Sequence, residues 1–133
     1  MPGKRVVARA RALIGIRFAL HGRDVATGID CVGLILIACP VIVRSPVGYA
    51  LRGGSAGGFA AMFVDNRLTR RRGNVRAGDI LLLQPSPAQF HLGIWSGEGL
   101  IHADAILRRV VETPGSLMWP LVSAWHGRKR RKR

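Results

Sequence analysis

The second half of this 133-residue chain carries the pattern that most constrains its fold. Short apolar runs, which alternate with polar positions, are separated there by residues that favour tight turns. The predicted strands cover residues 80–84, 90–95, 100–103 and 107–113. Because the connections between them are too short to cross over a sheet, the pattern predicts antiparallel neighbours.

The first half has helical spacing instead. A predicted helix over residues 5–14 has one apolar face and ends at Gly15. A loop rich in turn-forming residues follows over 18–28. Residues 44–58 look irregular, and a short helix is predicted over 60–68.

The composition fits one globular domain. Hydrophobic residues make up 48% of the chain and charged residues 21%, and 133 residues leave no room for a second folding unit. Because helices precede a strand meander, the predicted fold class is α+β. We assign the domain to residues 1–126 and treat residues 127–133 as a basic tail that is disordered or binds a partner.

The charge is strongly basic. The chain has 21 Lys and Arg against 7 Asp and Glu, a net charge of +14. Such a chain is attracted to polyanions such as nucleic acid, anionic lipid and phosphate-bearing envelope polymers. Basic residues cluster at 67–72 and 127–133. A terminal run of like charges is usually a solvated tail, so charge alone does not predict nucleic acid as a partner, and it does not exclude it.

Cys31 is the strongest candidate for a reactive residue. Asp30 can cap a helix that begins near Cys31 and continues through apolar residues 32–38, and Pro40 stops or kinks that helix. The helix N-terminus and a nearby imidazolium are expected to lower the pKa of the thiol from about 8.5 towards neutrality. Cys39 lies about 12 Å further along by helical rise, too far for a disulfide, and is predicted to be buried.

Two histidines lie on neighbouring predicted strands. His91 alternates with Phe90 and Leu92, so it points away from the aliphatic face of its strand. Across the hairpin, His102 can approach His91 and orient its ring. A thiol, a base and an orienting group are the parts of a hydrolytic triad. The chain has no CxxC or HExxH pattern, so neither a metal nor another cofactor is expected.

Three motifs in this order resemble the NlpC-type bacterial cell-wall cysteine peptidases. They are Asp-Cys-Val-Gly-Leu at 30–34, His-Leu-Gly-Ile at 91–94 and Leu-Ile-His-Ala at 100–103. The resemblance extends over roughly residues 5–125. It implies a papain-like α+β fold, in which N-terminal helices place the nucleophile at a helix N-terminus against a central antiparallel sheet. It also implies hydrolysis of peptidoglycan stem peptides through a thioester.

The resemblance implies a role for each matching residue. Cys31 is the nucleophile, His91 is the general base, and His102 fixes the tautomer of His91. The backbone N–H of Cys31 is one oxyanion donor. Asp30 is either the helix cap or a contact for the substrate.

Two departures from the family pattern leave the substrate open. Many members have Tyr where this chain has Phe18, which carries no hydrogen-bond donor, so His21 or another group is needed as the second oxyanion donor. Many members also have Ser where this chain has Val32, so their specificity contacts are not carried over. The alternatives on the same fold are a muramoyl–alanine amidase, an acyltransferase, and a weakly active structural subunit of a phage tail hub.

A sub-group of short members, encoded in phage-tail modules and gene transfer agents, resembles this chain more closely. The match lies in Gly-Ile-Arg-Phe at 15–18 and His-Gly-Arg-Asp at 21–24. The first residues have a helical pattern rather than that of a signal peptide, and no apolar run is long enough to span a membrane. We therefore expect synthesis in the cytoplasm and delivery to the periplasm within a phage-like particle, with peptidoglycan and other tail proteins as partners.

Overall fold

The computed structural model describes residues 2–40 and 56–127, with the backbone alone at 56 and 57. Helices pack on a mostly antiparallel sheet, which confirms the α+β class. The helices are α1 (Gly3–Arg11), α2 (Cys31–Ala38) and α3 (Ala56–Asp65). The strands are β1 (Arg23–Asp24), β2 (Gly28–Ile29), β3 (Leu68–Arg70), β4 (Ile80–Ser86), β5 (Gln89–Trp95), β6 (Gly99–Asp104), β7 (Arg109–Pro114) and β8 (Leu121–Gly127). No helix in these two ranges is long and apolar enough to cross a membrane.

Helix α1 forms because apolar residues recur on one of its faces. Val6, Val7 and Ala10 are buried, and Leu13 joins the same core just beyond the helix. The predicted buried face is therefore confirmed, although the helix ends before residue 14. Gly15 follows with a φ of 93°, a left-handed conformation that glycine adopts without strain.

The main sheet has six strands in the order β3-β8-β4-β5-β6-β7. All the pairs are antiparallel, and β4–β5–β6–β7 is the meander that the sequence predicts. β8, which is last in the sequence, lies between β3 and β4. The sheet therefore has β3 and β7 as its edges and its most buried strands in the middle.

The two faces of the sheet are buried in different ways. One face carries Ile80, Leu82, Leu92 and Ile94, which pack into the large core with the helices. The other face carries a smaller apolar cluster that includes Leu81. Because side chains alternate along β4, consecutive leucines pack into opposite cores. The sequence of the strand is therefore continuously apolar over its first residues.

The structure differs from the sequence-based expectations in three places. Helix α3 covers Ala56–Asp65 rather than 60–68, and it ends where Arg67 adopts a left-handed φ of 64°. The predicted loop over 18–28 contains β1 and the first residue of β2, which form a short antiparallel pair. The segment before the basic tail contains β8, which was not predicted as a strand. Residues 44–55 of the predicted irregular segment are not among the described residues. The last three residues of that segment, 56–58, belong to α3.

Candidate active site

Cys31 is the first residue of α2. The side chain of Asp30 caps this helix by accepting a hydrogen bond of 2.9 Å from the backbone N–H of Gly33, as predicted. Cys31 is only 2% exposed, and the helix ends at Ala38, two residues before Pro40. The helix therefore stops rather than kinks. Cys39 is buried and both thiols are free, in agreement with the sequence analysis.

Asp30 also fastens α2 to the preceding loop. Its Oδ1 accepts a second bond of 2.8 Å from Nη1 of Arg23, and its Oδ2 accepts one of 2.9 Å from the backbone N–H of His21. The carboxylate is buried, and these three donors compensate for its lost hydration. The carboxylate thus fixes both the start of the nucleophile helix and the loop beside it.

Replacing Asp30 by alanine is expected to destabilise the fold by about 2–3 kcal/mol, because the variant loses the cap and leaves buried donors unpaired. Asp30→Asn keeps a cap oxygen and should lose less. Asp24→Ala is the matched control, since Asp24 is exposed and its carboxylate accepts one local bond from the N–H of Ala26. Urea unfolding measures all three variants. Equal losses for Asp30→Ala and Asp24→Ala would contradict the anchoring role.

The two imidazoles form a hydrogen-bonded pair. Nε2 of His91, on β5, lies 3.0 Å from Nδ1 of His102, on β6. Continuing the register that pairs Ile94 with Ile101 places these histidines diagonally on one face of the hairpin. Nε2 of His102 lies 3.4 Å from Oγ1 of Thr113. Because Nε2 of His91 is used in the pair, its Nδ1 remains to exchange a proton with the thiol.

Trp119 is a site residue that the sequence analysis did not identify. Its ring lies edge-on to both imidazoles, with centroid distances of 5.2 Å to His91 and 5.5 Å to His102. It covers the His–His hydrogen bond on one side and limits the rotation of both rings. No sequence signal marks this role. Trp119 lies in the irregular segment before β8, and its position follows from the place of β8 in the sheet, between β3 and β4.

One cavity of about 660 Å³ brings the candidate residues together. Its lining includes Cys31, His91, His102, Asp30, Phe18, His21, Arg23 and Trp119. The side chain of Phe18 offers no hydrogen-bond donor there, and His21 is exposed at the cavity. A volume in this range is typical of ligand sites. The described residues contain no group of three or more His, Cys, Asp or Glu side chains that could hold a metal ion.

Burial keeps the thiol protonated. The pKa of Cys31 is raised to about 12, chiefly by burial and also by the nearby charge of Asp30, while the backbone N–H groups of Leu92, Val32 and Cys31 itself act in the opposite direction. The expectation that the helix and an imidazolium lower the pKa of this thiol is therefore wrong for the free protein. The error arises because the local motif does not reveal how deeply the fold buries the sulfur.

The imidazoles are also neutral. The pKa of His91 is lowered to about 4, chiefly by burial and also by His102, against a smaller opposing effect of Asp104. Burial lowers the pKa of His102 in the same way. A neutral thiol next to a neutral base indicates that the proton moves during the attack on a substrate and not before it.

The folded protein is expected to lose stability as the pH falls from about 6.5 towards 4. Because folding lowers the pKa of both imidazoles, the unfolded chain takes up protons at a higher pH than the folded chain does. The neutral histidines therefore contribute their full stabilisation above about pH 6.5, and this stabilisation is lost as the pH falls through the pKa of His91. His91 alone accounts for about 3 kcal/mol, at about 1.4 kcal/mol for each pKa unit. Urea unfolding at several pH values measures the loss. A His91→Gln/His102→Gln variant with an undiminished loss would contradict this origin.

Comparison with known proteins identifies the fold. No family model and no curated protein matches the sequence. The structure is similar to the NlpC/p60 domain of the peptidoglycan hydrolase SagA, with a TM-score of 0.60 and 22% identity over 86% of this chain and 90% of that one. It is also similar to NlpC2 from Trichomonas vaginalis, with a TM-score of 0.67 and 18% identity over 93% of this chain and 46% of that one. The chain therefore has the papain-like NlpC/p60 fold.

Proposed function

We propose that this protein is a cysteine peptidase that hydrolyses stem peptides of peptidoglycan. The observation that carries the proposal is the shared cavity, in which a thiol at a helix N-terminus accompanies a hydrogen-bonded pair of imidazoles. The NlpC/p60 fold supports the substrate class, since SagA, which has this fold, is described as a peptidoglycan hydrolase. Arg23 lines the same cavity, where its guanidinium is paired with the buried carboxylate of Asp30.

The first half of the reaction forms a thioester. Nδ1 of His91 accepts the proton of the Cys31 thiol while the sulfur attacks the carbonyl carbon of the scissile bond. Within the described residues, no hydrogen bond joins the Cys31 thiol to His91, whose Nε2 is paired with His102, so the proton transfer waits for the substrate. The developing oxyanion is stabilised by the N–H of Cys31 at the start of α2. His91 then protonates the leaving amine.

The second half hydrolyses the thioester. His91 removes a proton from water, which attacks the acyl carbon, and the thiol leaves with that proton. His102 accepts the Nε2–H of His91 throughout, which keeps Nδ1 of His91 as the basic nitrogen and stabilises the imidazolium when it forms. His102 in turn donates from its Nε2 to Thr113, which fixes its own tautomer.

Digestion of purified peptidoglycan tests the proposed bond. Mass analysis of the soluble fragments should find new amino and carboxyl termini within the stem peptides. Release of the whole stem with a new amino group on its first alanine would instead identify the amidase, and transfer of an acyl group to an added amine would identify an acyltransferase. An intact wall after incubation with folded protein would favour the structural tail subunit.

The ring of His21 is proposed as the second oxyanion donor in place of Phe18. Glycine is the suitable replacement, because His21 has a φ of 61°, where glycine removes the ring without strain. We expect His21→Gly to lower kcat by about 10²-fold with little change in KM. Adding Phe18→Tyr should restore part of the loss by supplying a hydroxyl. Unchanged kcat in His21→Gly would exclude the ring as the donor.

The proposal includes delivery by a phage-like particle. It rests on the resemblance of residues 15–24 to the short tail-module peptidases. We expect to detect the protein in purified particles. We also expect it to be lost from them when the structural gene for the tail is deleted. If the chain lacking residues 128–133 is still found in assembled particles, the basic tail is not what attaches it.

A further inference from the structure

The two most exposed large hydrophobic residues of the described ranges, 2–40 and 56–127, both lie at the candidate active site. Leu20 is 70% exposed and Ile106 is 90% exposed. Both line the cavity that contains Cys31. A single exposed leucine or isoleucine is common on a protein surface, but two that line one cavity provide apolar surface for a ligand to cover. We call Leu20 and Ile106 the apolar lip of the cavity.

The two segments that carry the lip are joined by a backbone hydrogen bond. The N–H of Phe18 donates to the carbonyl of Arg108 at 3.0 Å. Leu20 comes two residues after Phe18, and Ile106 comes two residues before Arg108. Because a step of two residues spans at most about 7 Å, both lip residues lie close to this bond. The fold therefore places them on one wall of the cavity, although 86 residues separate them in the sequence.

The backbone of the lip is fixed by two carboxylates. Oδ1 of Asp104 accepts a hydrogen bond of 2.8 Å from the backbone N–H of Ile106. On the other segment, His21 follows Leu20 and donates its backbone N–H to the buried carboxylate of Asp30 at 2.9 Å. Because both turns are already ordered, a ligand need order only the two side chains of the lip, which lowers the entropic penalty of binding.

The Asp and Arg side chains that line the cavity are already engaged within the protein. Arg23 pairs at 2.8 Å with the buried carboxylate of Asp30. The carboxylate of Asp104 accepts two N–H bonds from its own turn. The surface that the lip itself offers is hydrocarbon. Contact with the lip therefore stabilises an uncharged, apolar group of a ligand, whereas a charged group would lose hydration there.

The chemistry of stem peptides then selects the residue that the lip contacts. Stem peptides contain alanine together with residues that carry free carboxylate or amino groups, and the alanine methyl is their uncharged apolar side chain. We propose that Leu20 and Ile106 form a specificity-determining subsite, which selects stem peptides with an alanine beside the scissile bond. This inference rests on the proposed function, and it identifies the kind of bond that the peptidase cuts.

Steady-state kinetics of the full chain on soluble stem peptides tests the proposal. The substrates are the natural stem peptide and a set of synthetic peptides in which glycine replaces one alanine at a time. The lip variant is Leu20→Ser/Ile106→Ser. The matched control is Val25→Ser/Leu107→Ser, because Val25 and Leu107 lie in the same two segments, are about half exposed and do not line the cavity. Thermal unfolding checks that both variants are folded.

The wild type should cut the natural peptide with a kcat/KM at least about tenfold higher than that for one of the glycine peptides, as expected for one methyl group in an apolar subsite. The lip variant should have a KM at least about tenfold higher than the wild type and a nearly unchanged kcat, because the lip contacts the substrate equally in the ground and transition states. Its preference for alanine over glycine should largely disappear. The control variant should keep the KM and the preference of the wild type.

Two kinetic results would overturn the proposal: an equal rise of KM in the lip and control variants, or an unchanged preference for alanine in the lip variant. Calorimetric binding of the same peptides to Cys31→Ala, with and without the lip substitutions, measures the subsite without the reaction. A preference for alanine that disappears with the lip supports the subsite even if the wild type cuts none of the peptides, a result that would count against the proposed function alone. Equal binding of the alanine and glycine peptides to Cys31→Ala would overturn the subsite.

Discussion

Cys31→Ala is expected to lower kcat on peptidoglycan by about 10⁴- to 10⁶-fold, the range found when a covalent nucleophile is removed. Without the sulfur no thioester forms, and only residual stabilisation by the cavity remains. The same variant should still bind the wall, because Cys31 is buried and contributes little surface to a ligand. Release of soluble fragments measures the rate, and sedimentation with insoluble peptidoglycan measures the binding.

Cys39→Ala is the control for this prediction. Cys39 is buried, like Cys31, but it lies at the other end of α2 and away from the cavity with the histidines. We expect it to destabilise the protein by about 1 kcal/mol and to leave kcat nearly unchanged. If Cys31→Ala retains the wild-type rate, the nucleophile and the proposed function are both wrong.

His91→Ala is expected to lower kcat by about 10²- to 10⁴-fold, the usual contribution of a positioned general base. The pH dependence of kcat/KM in the wild type is the more specific readout. Since the neutral imidazole must accept the thiol proton, activity should fall as the pH decreases through the pKa of His91, at about 4. On the alkaline side, activity should persist towards the pKa of Cys31, at about 12.

The histidine pair supplies the comparison for this profile. His102→Asn keeps a hydrogen-bond acceptor near Nε2 of His91 and removes one titrating ring, so it should lower kcat less than His91→Ala does. It should also move the acid limb upwards, because His102 contributes to the lowered pKa of His91. An acid limb near 6.5 in the wild type would show that His91 is not the buried base described here.

Local sequence patterns predicted the parts of this protein that depend on neighbouring residues. Asp30 as a helix cap, the apolar body of α2 and the meander from β4 to β7 are all encoded within short windows. The proximity of His91 and His102 followed from alternation on two strands joined by a tight turn. The class of fold and the centre of the candidate site were therefore accessible from the sequence.

The features that were not predicted depend on contacts between distant segments. β3 has only three residues, two of them polar, and its strand conformation comes from pairing with β8. The position of Trp119 also depends on β8, which lies between β3 and β4. Burial of Cys31 depends on packing from several elements, which explains why the direction of its pKa shift could not be deduced from the Asp-Cys motif.

The position of β8 has a consequence for the nascent chain. Until β8 is synthesised, β4 has a hydrogen-bonding partner on one side only, and its free edge runs along four consecutive fully buried residues, Ile80 to Leu83. Such an apolar, unpaired edge is a template for association with other chains. Co-translational folding can complete the β4–β7 meander early, but protection from aggregation comes only when residues 121–127 close the gap between β3 and β4.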